Sequence, residues 1–406
     1  MKRLLLTIPN LGKGGAQQIF RDQVAFFSKH TKVTSCVFNW DDSFPEDRIG
    51  ILSLNVPAGK NVLSKSYFFL KRIYRLRKIK EDHKIDISIS HLEGADYVNI
   101  LSRRNEKIIL WIHGTKKFDN NIEGVLGWLR KKLMIPTLYR RAKLIVTVSE
   151  GIRHELIEEF DLRAARIVTI SNGISLQNIM HSSAAAGSAA LFSIIKPALI
   201  LITHCRFARQ KNLTALLRIF AKVKIVLPTK MIFVGDGELT GQLIEQSRSL
   251  QLITYSFWED KPLSESNDVF FIGYQRNPYQ YLANATLYLL TSSWEGFPLS
   301  MCEAMACQLP VVAADCFTGP REILSPGIYS IMPVARPFFS KGGVLMPLAD
   351  SDSAIQVWAD VICKVLSDDG LRQKMIRGAV DRAKDFDMRK IEKHWLDLLV
   401  NGGANQ

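Results

Sequence analysis

The chain has 406 residues, of which 47% are hydrophobic and 23% charged, a composition typical of a soluble globular protein. Its length favours two domains of about 200 residues over a single core. No apolar stretch reaches about 18 residues, so the sequence predicts no membrane-spanning helix.

The net charge of +14 is concentrated in the first half of the chain. Residues 1–190 contain 30 Lys and Arg against 18 Asp and Glu, whereas residues 191–406 contain 23 against 21. The first half is therefore expected to face an anionic partner, either a membrane surface, a phosphorylated acceptor or nucleic acid. Nucleic acid is the least favoured of these, because the sequence shows no recognised binding motif or stacking array.

The six cysteines are scattered without paired spacing, at positions 36, 205, 302, 307, 316 and 363. Four of them lie in or beside apolar runs, so we expect buried free thiols rather than disulfides or metal ligands. Free thiols suit a reducing cytosol. No metal-binding cluster is evident, and no metal is expected.

Short apolar runs alternate with helical patterns along almost the whole chain. The runs are rich in Ile, Val and Leu and do not alternate strictly, as expected for strands buried on both faces. This order predicts an α/β fold with two doubly wound, Rossmann-like parallel-sheet domains facing across a cleft. The predicted strands are Arg3–Ile8, Val33–Phe38, Ile85–Ser90, Lys107–Ile112, Lys143–Val148, Arg166–Ile170, Ala198–Thr203, Lys230–Val234, Asp268–Ile272, Thr286–Leu290, Pro310–Ala314 and Gly343–Met346.

The first strand runs into a loop that contains Gly12, Gly14 and Gly15, followed by a helical pattern from Ile19 to Phe27. A glycine turn here lets a ligand approach the backbone and points N–H groups at it. The spacing does not match the dinucleotide pattern GxGxxG. An ordinary strand-to-helix turn explains the segment equally well on its own.

Residues 65–80 form a basic amphipathic pattern. Apolar residues occupy positions 69, 70, 73, 76 and 79, and cations occupy positions 71, 72, 75, 77, 78 and 80. The pattern suits a helix that lies on anionic lipid. It also suits a surface helix that packs its apolar face on the sheet, and a doubly wound sheet needs such helices.

Three predicted strands end in residues that suit ligand contact, since ligands of such sheets bind at the carboxyl ends of the strands. His113 could hydrogen-bond a sugar hydroxyl or move a proton, although a structural role is equally consistent with one histidine. Gly235 and Gly237 form a tight turn. After Phe271, the backbone near Tyr274 could contact a base edge. The last two features are common turn chemistry on their own.

Small residues at 182–190 are the best linker candidate, which places the domains at 1–185 and 190–385. Arg206 and Lys211 share the loop that follows the first strand of the second half. Two cations at a strand end could neutralise a diphosphate, with the arginine as the bidentate partner. The alternative is a solvated charged loop.

Glu295 and Glu303 lie in a segment that passes from a Gly- and Pro-containing loop into a helix predicted to start near Leu299. Free backbone N–H groups at a helix N-terminus bind anions. Carboxylates for sugar hydroxyls beside amides for phosphate suggest a nucleotide-sugar site. Without the rest of the chain, the same pair could be the acid and base of a hydrolase.

Over nearly its whole length the chain resembles the retaining GT-B glycosyltransferases of family 4. The resemblance rests first on the Glu-x7-Glu pattern of Glu295 and Glu303. The Arg206/Lys211 pair, the glycine loop, Asn172-Gly173 and the Gly235 turn follow in the expected order. The segment from Asp315 to Leu324 resembles bacterial members that build surface polysaccharides and lipid-linked oligosaccharides.

The resemblance implies a role for each matching residue. Arg206 and Lys211 would hold the donor diphosphate, Glu303 the ribose, Glu295 the donor sugar, and His113 would lie near its C6 hydroxyl. A final segment, 386–406, would form a helix that crosses back to the first domain. The remaining implied donor contacts are Gly235, Gly237, Phe271, Tyr274, Gly296, Phe297, Pro298, Leu299 and Ser300; the implied phosphate or acceptor loop is Gly12, Gly14, Gly15 and Gln18.

The implied activity is transfer of a hexose or N-acetylhexosamine from a nucleoside-diphosphate sugar, with UDP the favoured nucleotide. The acceptor would be a lipid-linked (polyprenyl-diphosphate) or nascent glycan of bacterial O-antigen or capsule biosynthesis. No metal or other cofactor is implied. The protein would be cytoplasmic and peripheral on the inner face of the cytoplasmic membrane.

The first loop departs from the family pattern. Gly15 is followed by Ala, Gln17 and Gln18, where the family often has Ala-Glu-Arg, so the acceptor is the least secure inference. Two other functions remain open: a soluble-sugar synthase or nucleotide-sugar epimerase on the same scaffold, and a non-catalytic GT-B binding subunit.

Overall fold

The structure, a computed structural model, describes residues 2–12, 14–40, 50–118, 124–195, 198–328, 330 and 332–401. The chain divides into two units, Met1–Ser171 and Asn172–Gln406. The division comes earlier than the predicted boundary near 185, because the residues after Ser171 bond within the second unit. Ile174 N donates to Phe386 O at 2.8 Å, and Met388 N donates to Ile174 O at 2.9 Å.

The first unit is a parallel sheet covered by helices. Its described strands are ordered β3-β2-β1-β4-β5-β6-β7, and every neighbouring pair is parallel. A π-helical turn, Arg130–Met134, joins two of its helices. The elements are β1 (Arg3–Ile8), α1 (Gly15–Ser28), β2 (Lys32–Val37), β3 (Ile51–Ser53), α2 (Val62–Asp82), β4 (Ile87–His91), α3 (Glu93–Leu101), β5 (Lys107–Ile112), α4 (Gly124–Leu129), α5 (Ile135–Tyr139), β6 (Leu144–Thr147), α6 (Glu150–Glu158) and β7 (Ile167–Thr169).

The second unit has a larger sheet of the same type. Its described strands are ordered β10-β11-β9-β8-β12-β13-β15-β14, and only the edge pair β14–β15 is antiparallel. The elements are α7 (Leu176–Ser183), α8 (Ala189–Ile195), β8 (Leu199–His204), α9 (Leu213–Val226), β9 (Thr229–Val234), α10 (Thr240–Ser249), β10 (Thr254–Ser256), β11 (Val269–Phe271), α11 (Tyr279–Leu282), β12 (Leu287–Leu290), α12 (Leu299–Ala306), β13 (Val311–Ala314), α13 (Pro320–Leu324), β14 (Phe338–Phe339), β15 (Gly343–Met346), α14 (Asp352–Ser367), α15 (Asp369–Ala383) and α16 (Met388–Asn401).

The predicted α/β class and all twelve predicted strands are confirmed. The strands are almost wholly buried, because helices cover both faces of a doubly wound sheet. The sequence missed β3, β10 and β14, which have only two or three residues each. All three lie at sheet edges, where pairing is one-sided and an apolar run is not required.

Strand order in each sheet reverses direction once, and this switch point is where open α/β sheets bind ligands. In the first unit it lies between β1 and β4, and in the second between β8 and β12. The loops that leave the carboxyl ends of these strands therefore meet there. They carry the glycine loop and His91 in the first unit, and Lys211 and Glu295 in the second.

The linker and the amphipathic helix differ from prediction. Residues 182–190 are not an extended linker: they include the end of α7 and the start of α8, and the Ser188 hydroxyl donates to Gln280 O at 3.1 Å. In α2, Leu76 is buried as predicted, but Leu70 is exposed and Phe68 packs on the core in its place.

All six cysteines are free thiols, as predicted, and four of them are buried. The predicted final helix is present as α16, which anchors itself through buried Ile391 and Trp395. Residues 402–406 of the predicted C-terminal segment lie outside the described residues. The predicted crossing of this helix onto the first domain stays a prediction.

Candidate functional site

The switch point of the second sheet holds a buried ion pair between two predicted site residues. Lys211 follows β8, and Glu295 follows β12. Lys211 Nζ lies 2.6 Å from Glu295 Oε1, and the Ser292 hydroxyl donates to the same oxygen at 2.6 Å. Gln210 Nε2 donates to Trp294 O at 2.7 Å and ties the two loops together.

This pair is charged despite its burial. Burial disfavours the ammonium form of Lys211, but the Glu295 carboxylate outweighs that cost and raises the pKa of the lysine above its usual value. The Glu295 side chain is only 6% exposed. The site therefore keeps one fixed cation and one fixed carboxylate in an environment of low polarity, where both interact strongly with a ligand.

Glu303 is brought to the same end of the sheet by α12. The Tyr279 hydroxyl donates to its Oε1 at 3.1 Å, and His204 Nδ1 lies 3.6 Å from its Oε2. Its side chain is largely but not fully buried. A carboxylate held by a tyrosine hydroxyl, with lone pairs still open, suits an acceptor for ligand hydroxyls.

Arg206 differs from Lys211 although both lie between β8 and α9. Its side chain is 60% exposed, against 16% for Lys211. Its nearest acidic group is Glu238, at 3.9 Å, and such an exposed pair contributes little to stability. Arg206 is thus available for an incoming anion, whereas the charge of Lys211 is already partnered.

Gly235 and Gly237 shape the loop that carries Arg206. Gly235 has φ +136°, and a Cβ there would collide with the carbonyl oxygen of Cys205. A Cβ at Gly237 would likewise meet Phe207 O. Phe207 N donates to Asp236 O at 2.7 Å, which fastens the two loops. The structure therefore assigns these glycines a packing role beside the predicted donor contact.

The segment from Gly296 to Ser300 forms the approach to α12 and its first turn. Pro298 is the N-cap residue and has no polar side-chain atom with which to cap the helix. Phe297 is buried against Phe386, with ring centroids 5.2 Å apart. The helix N-terminus consequently offers backbone N–H groups to an anion beside the Lys211–Glu295 pair.

The side chain of Phe271, another predicted donor contact, lies in the core, so only its backbone is left for a ligand. Its ring is fully buried and stacks on Phe233, with centroids 4.7 Å apart. The period-two alternation of a strand points this side chain into the core. Tyr274, three residues further along, is 42% exposed and remains a candidate.

In the first unit, His113 follows β5 and pairs with a second histidine. His91 Nδ1 lies 3.0 Å from His113 Nε2, and the planes of the two rings are inclined by only 18°. Burial lowers the pKa of His91 well below its usual value. Burial, with a smaller contribution from Lys116, lowers the pKa of His113 to about 3. Both rings are therefore neutral at pH 7 and can exchange hydrogen bonds with a ligand.

A buried charged cluster lies on the elements that follow these strands. Glu93 binds Arg130, with Nη2 2.6 Å from Oε2, and Lys116 Nζ lies 3.3 Å from the same oxygen. Burial raises the pKa of Glu93, but the two cations and the hydroxyl of Tyr97 outweigh it and bring the pKa to about 2. Arg130 is thus an internal partner of Glu93.

The predicted phosphate or acceptor loop is described at Gly12, Gly14 and Gly15, whereas residue 13 lies outside the described residues. Gly12 N donates to Asn10 Oδ1 at 3.4 Å. Gln18 is exposed on α1 and its Nε2 donates to Asp22 at 2.9 Å. The loop leads into α1 at the switch point, as predicted, and Gln18 is bound to its own helix.

Sequence reasoning missed several polar groups that complete these sites. His91, His204 and Ser292 each lie at or just beyond the end of a central strand, so the strand-end rule applied more widely would have found them. Tyr279 reaches Glu303 from α11, and the sequence carries no signal for that contact.

Within the described residues, no group of three or more His, Cys, Asp or Glu side chains is arranged to hold a metal ion. A search of the same residues found no helix both long and apolar enough to cross a membrane.

Two family models match the chain, one on each unit. The model described as "Glycosyltransferase Family 4" matches residues 13–178, and "Glycosyl transferases group 1" matches residues 194–382. Two Rossmann-like parallel-sheet units, each with a switch point in its strand order, are the architecture of the GT-B fold. The chain belongs to the family 4 glycosyltransferases with the GT-B fold.

Relatives and solved structures agree with this assignment. An uncharacterized glycosyltransferase of Methanocaldococcus jannaschii is 29% identical and covers 84% of this chain and 86% of its own length. The N-acetylgalactosamine-N,N'-diacetylbacillosaminyl-diphospho-undecaprenol 4-alpha-N-acetylgalactosaminyltransferase of Campylobacter jejuni is 26% identical, over 98% of this chain and 100% of its own. Anabaena HepE in complex with UDP-glucose shares the fold, with TM-score 0.75, 18% identity and coverage of 99% and 100%.

Proposed function

We propose that the protein transfers a hexose or N-acetylhexosamine from a UDP-sugar to a lipid-linked or nascent glycan in bacterial surface polysaccharide biosynthesis. The observation that carries the proposal is the Lys211–Glu295 ion pair beside the N-terminus of α12, with Glu303 on the same helix. Lys211 and the helix N-terminus suit a diphosphate, Glu295 suits the donor sugar, and Glu303 suits the ribose.

Negative charge develops on the departing diphosphate during transfer, and cations fixed beforehand stabilise it most. Exposed Arg206 is placed to bind it bidentately, and Lys211 adds a buried charge. The N–H groups from Gly296 to Ser300 supply further donors. Because these groups supply positive charge, we propose that transfer needs no metal ion, and full activity in a chelator such as EDTA is the expected result.

We propose that transfer retains the anomeric configuration through front-face attack assisted by the leaving phosphate. Glu295 is not assigned as a nucleophile. Its Oε1 already accepts from Lys211 and Ser292, each at 2.6 Å. A carboxylate so engaged suits a hydrogen-bond acceptor that orients the sugar. Product analysis by NMR that found an inverted linkage would contradict this mechanism.

The acceptor proposal draws on the relatives. The Campylobacter jejuni relative is named for a diphospho-undecaprenol-linked acceptor, and a Salmonella typhimurium relative for lipopolysaccharide. An acceptor that carries a diphosphate on a lipid would be attracted by the excess positive charge of residues 1–190.

We propose that α2 docks the protein on the inner face of the cytoplasmic membrane. Leu63, Tyr67, Leu70 and Tyr74 are each 60–83% exposed, and their 4-3-4 spacing places them on one face of the helix. Cations flank this stripe, at Lys71, Arg77 and Lys78. An exposed apolar stripe with basic flanks is the pattern of a helix that lies in an anionic lipid interface.

Two other cations of α2 are engaged inside the fold. Arg72 donates to the carbonyls of Val56 and Pro57, and Arg75 to that of Asn55 at 3.1 Å. The helix thus both covers the sheet and exposes a lipid-facing stripe. The two interpretations of the sequence pattern are compatible.

Donor binding is the first test. We expect UDP-sugars, rather than GDP- or ADP-sugars, to raise the thermal stability of the chain, since saturation at 100 Kd adds about 2.7 kcal/mol. Glu303→Gln keeps the shape and removes the charge, so it should weaken donor binding about 10- to 100-fold. A chain that binds no nucleotide sugar is a non-catalytic subunit. Epimerised donor or a free disaccharide among the products would identify the soluble-sugar alternatives.

Vesicle flotation tests the membrane proposal. The wild-type chain should float with vesicles that contain phosphatidylglycerol and not with phosphatidylcholine alone. The variant Tyr67→Ser, Leu70→Ser, Tyr74→Ser should lose most of this binding, whereas Ile225→Ser, which removes an equally exposed residue from the second unit, should not. Equal flotation on both lipids would exclude an anionic surface as the partner.

A further inference from the structure

Two histidines meet where the central strands of the first sheet end. His91 is the last residue of β4 and pairs in register with Trp111 of β5, two residues before His113. The rings lie edge to edge with centroids 5.1 Å apart and planes inclined by 18°, and His91 Nδ1 lies 3.0 Å from His113 Nε2. One nitrogen of this contact must carry a proton and the other a lone pair.

His91 is fully buried in aromatic surroundings. Phe20 packs edge-on against its ring at 5.3 Å, and Trp111 lies at 5.0 Å. Its second nitrogen, Nε2, has no hydrogen-bond partner among the described residues. A buried N–H without an acceptor is rarer and costlier than a buried lone pair without a donor. Without a ligand, either tautomer pair leaves one N–H unpaired within the described residues, on His91 Nε2 or on His113 Nδ1. A ligand oxygen that accepts from His113 Nδ1 removes this cost, and it can do so only when the His91 proton lies on Nδ1, where it has His113 as acceptor.

We propose that His91 is a positioning residue: by donating Nδ1–H to His113 Nε2 it fixes His113 as the tautomer with its proton on Nδ1, and presents that proton to a ligand oxygen. His113 Nδ1 is buried and has no partner within the described part of the chain, so it is left for a ligand. Without His91, the His113 ring would favour neither tautomer. Part of the energy of its hydrogen bond to the ligand would then be spent on selecting the correct tautomer.

The matching ligand group is an oxygen that accepts a hydrogen bond, either a sugar hydroxyl or a phosphoryl oxygen. Neutral His113 suits a sugar hydroxyl, because a neutral N–H donor does not need a negatively charged acceptor. Burial and Lys116 hold the pKa of His113 to about 3, which keeps the ring neutral at physiological pH. This choice of ligand rests on the proposed glycosyltransferase function, whereas the tautomer assignment needs only a ligand oxygen that accepts from His113 Nδ1.

The tautomer is measured directly by ¹⁵N NMR of the full chain labelled at histidine. With a saturating UDP-sugar bound, we expect His113 to be neutral at pH 7 with its proton on Nδ1. In His91→Leu, the Nε2-protonated form should appear. In His91→Asn, whose amide can donate from nearly the position of Nδ1, the wild-type tautomer should persist. A wild-type His113 that is protonated on Nε2, or charged, would overturn the proposal.

Turnover separates positioning from general damage. His91→Leu should lower kcat/KM about three- to tenfold, the worth of one neutral hydrogen bond, and His91→Asn should restore most of it. In a His113→Phe background the same His91→Leu change should have no further effect, because it acts only through His113. Equal losses in both backgrounds would show that His91 has only a packing role.

UDP binding distinguishes the two levels of failure. The affinity for UDP alone should stay within about twofold in every His91 variant, since Arg206, Lys211 and Glu303, which are proposed to hold the diphosphate and ribose, lie in the second unit. If no variant, including the wild type, binds UDP, the proposed function fails. If all bind UDP but His91→Leu leaves the tautomer unchanged, this inference fails and the proposed function stands.

Discussion

The two sheets have the same strand order around their switch points, yet they place opposite chemistry there. The second unit holds a charged pair, Lys211 and Glu295, 2.6 Å apart. The first unit holds a neutral pair, His91 and His113, 3.0 Å apart. Topology therefore selects the place where ligands bind, and the residue types that end the strands decide what can bind there.

Burial has the opposite outcome in the two places because the partners differ. Lys211 is buried against a carboxylate, so its charged form survives. His113 is buried against another imidazole and near the cation of Lys116, so its charged form is suppressed. One unit suits a ligand with fixed negative charge, and the other suits neutral hydroxyl groups.

The largest expected effect follows from breaking the charged pair. Lys211→Ala leaves the Glu295 carboxylate buried and without its cation, and the loss of unfolding free energy should be about 3–5 kcal/mol. Chemical denaturation of the full chain measures it. Lys374→Ala, which removes an exposed lysine of α15, is the matched control and should change stability by less than about 0.5 kcal/mol.

A double variant sharpens this result. Lys211→Met with Glu295→Leu removes both charges and should recover a large part of the lost stability, because an apolar pair needs no desolvation of ions. It should remain inactive. A double variant as unstable as Lys211→Ala would show that packing around residue 211, rather than the unpaired carboxylate, sets the cost.

Loss of the exposed Arg206 should affect turnover far more than stability, in contrast to loss of the buried Lys211. Arg206→Ala removes a side chain that is 60% exposed, so stability should hardly change, whereas kcat should fall about 10²- to 10³-fold if the guanidinium stabilises the leaving diphosphate. Arg206→Lys should recover part of the loss. Normal turnover by a folded Arg206→Ala protein would remove Arg206 from the proposed mechanism.

These two residues also show how far the sequence determines the site. The spacing of Arg206 and Lys211 after a strand correctly placed both on one loop, and the Glu-x7-Glu segment correctly placed Glu303 on a helix. The sequence did not reveal that Lys211 bonds to Glu295, since that contact depends on which strands are neighbours in the sheet. Strand order is a long-range property that apolar runs do not encode.

The misplaced residues have local physical causes. Phe271 ends a strand, and a shift of one residue along a strand changes whether a side chain faces core or site. Leu70 lies in a helix that is apolar on two sides, so the periodicity alone could not tell the exposed stripe from the core-facing one. The edge strands β3, β10 and β14 are too short to give an apolar run.

Two glycines of the second unit offer a smaller, paired test. Gly235 has φ +136° and no room for a Cβ, so Gly235→Ala should cost about 1–3 kcal/mol and disturb the Arg206 loop. Gly241 lies in α10 with open space around it, so Gly241→Ala should stabilise the chain by about 0.4–1 kcal/mol. Urea denaturation measures both changes in stability. An equal loss of stability at Gly241 would show that the lack of space at Gly235 is not the cause.

The gentlest test concerns pH and the first unit, where two groups act with opposite sign. Burial raises the pKa of Asp96 to about 7, although the hydroxyls of Ser90 and Tyr139 bond to it at 2.7 and 2.9 Å. The folded state holds this proton while the unfolded state has released it, so stability falls as pH rises from about 4 to 7. His113 is the converse, because the unfolded chain binds the proton first, and its contribution makes stability rise with pH between about 3 and 6.5.

Burial also lowers the pKa of His91, which adds a second contribution that rises with pH. The stability of the wild-type chain should therefore rise with pH over 4.5–6.5 from this region. Asp96→Asn mimics the protonated carboxyl and removes only the falling slope. Its stability relative to wild type should therefore increase with pH, by at most about 1.4 kcal/mol per pH unit. Denaturation curves at several pH values measure this difference. A constant difference would mean that Asp96 is ionised in the fold, and that the first unit is held together by charge much as the second is.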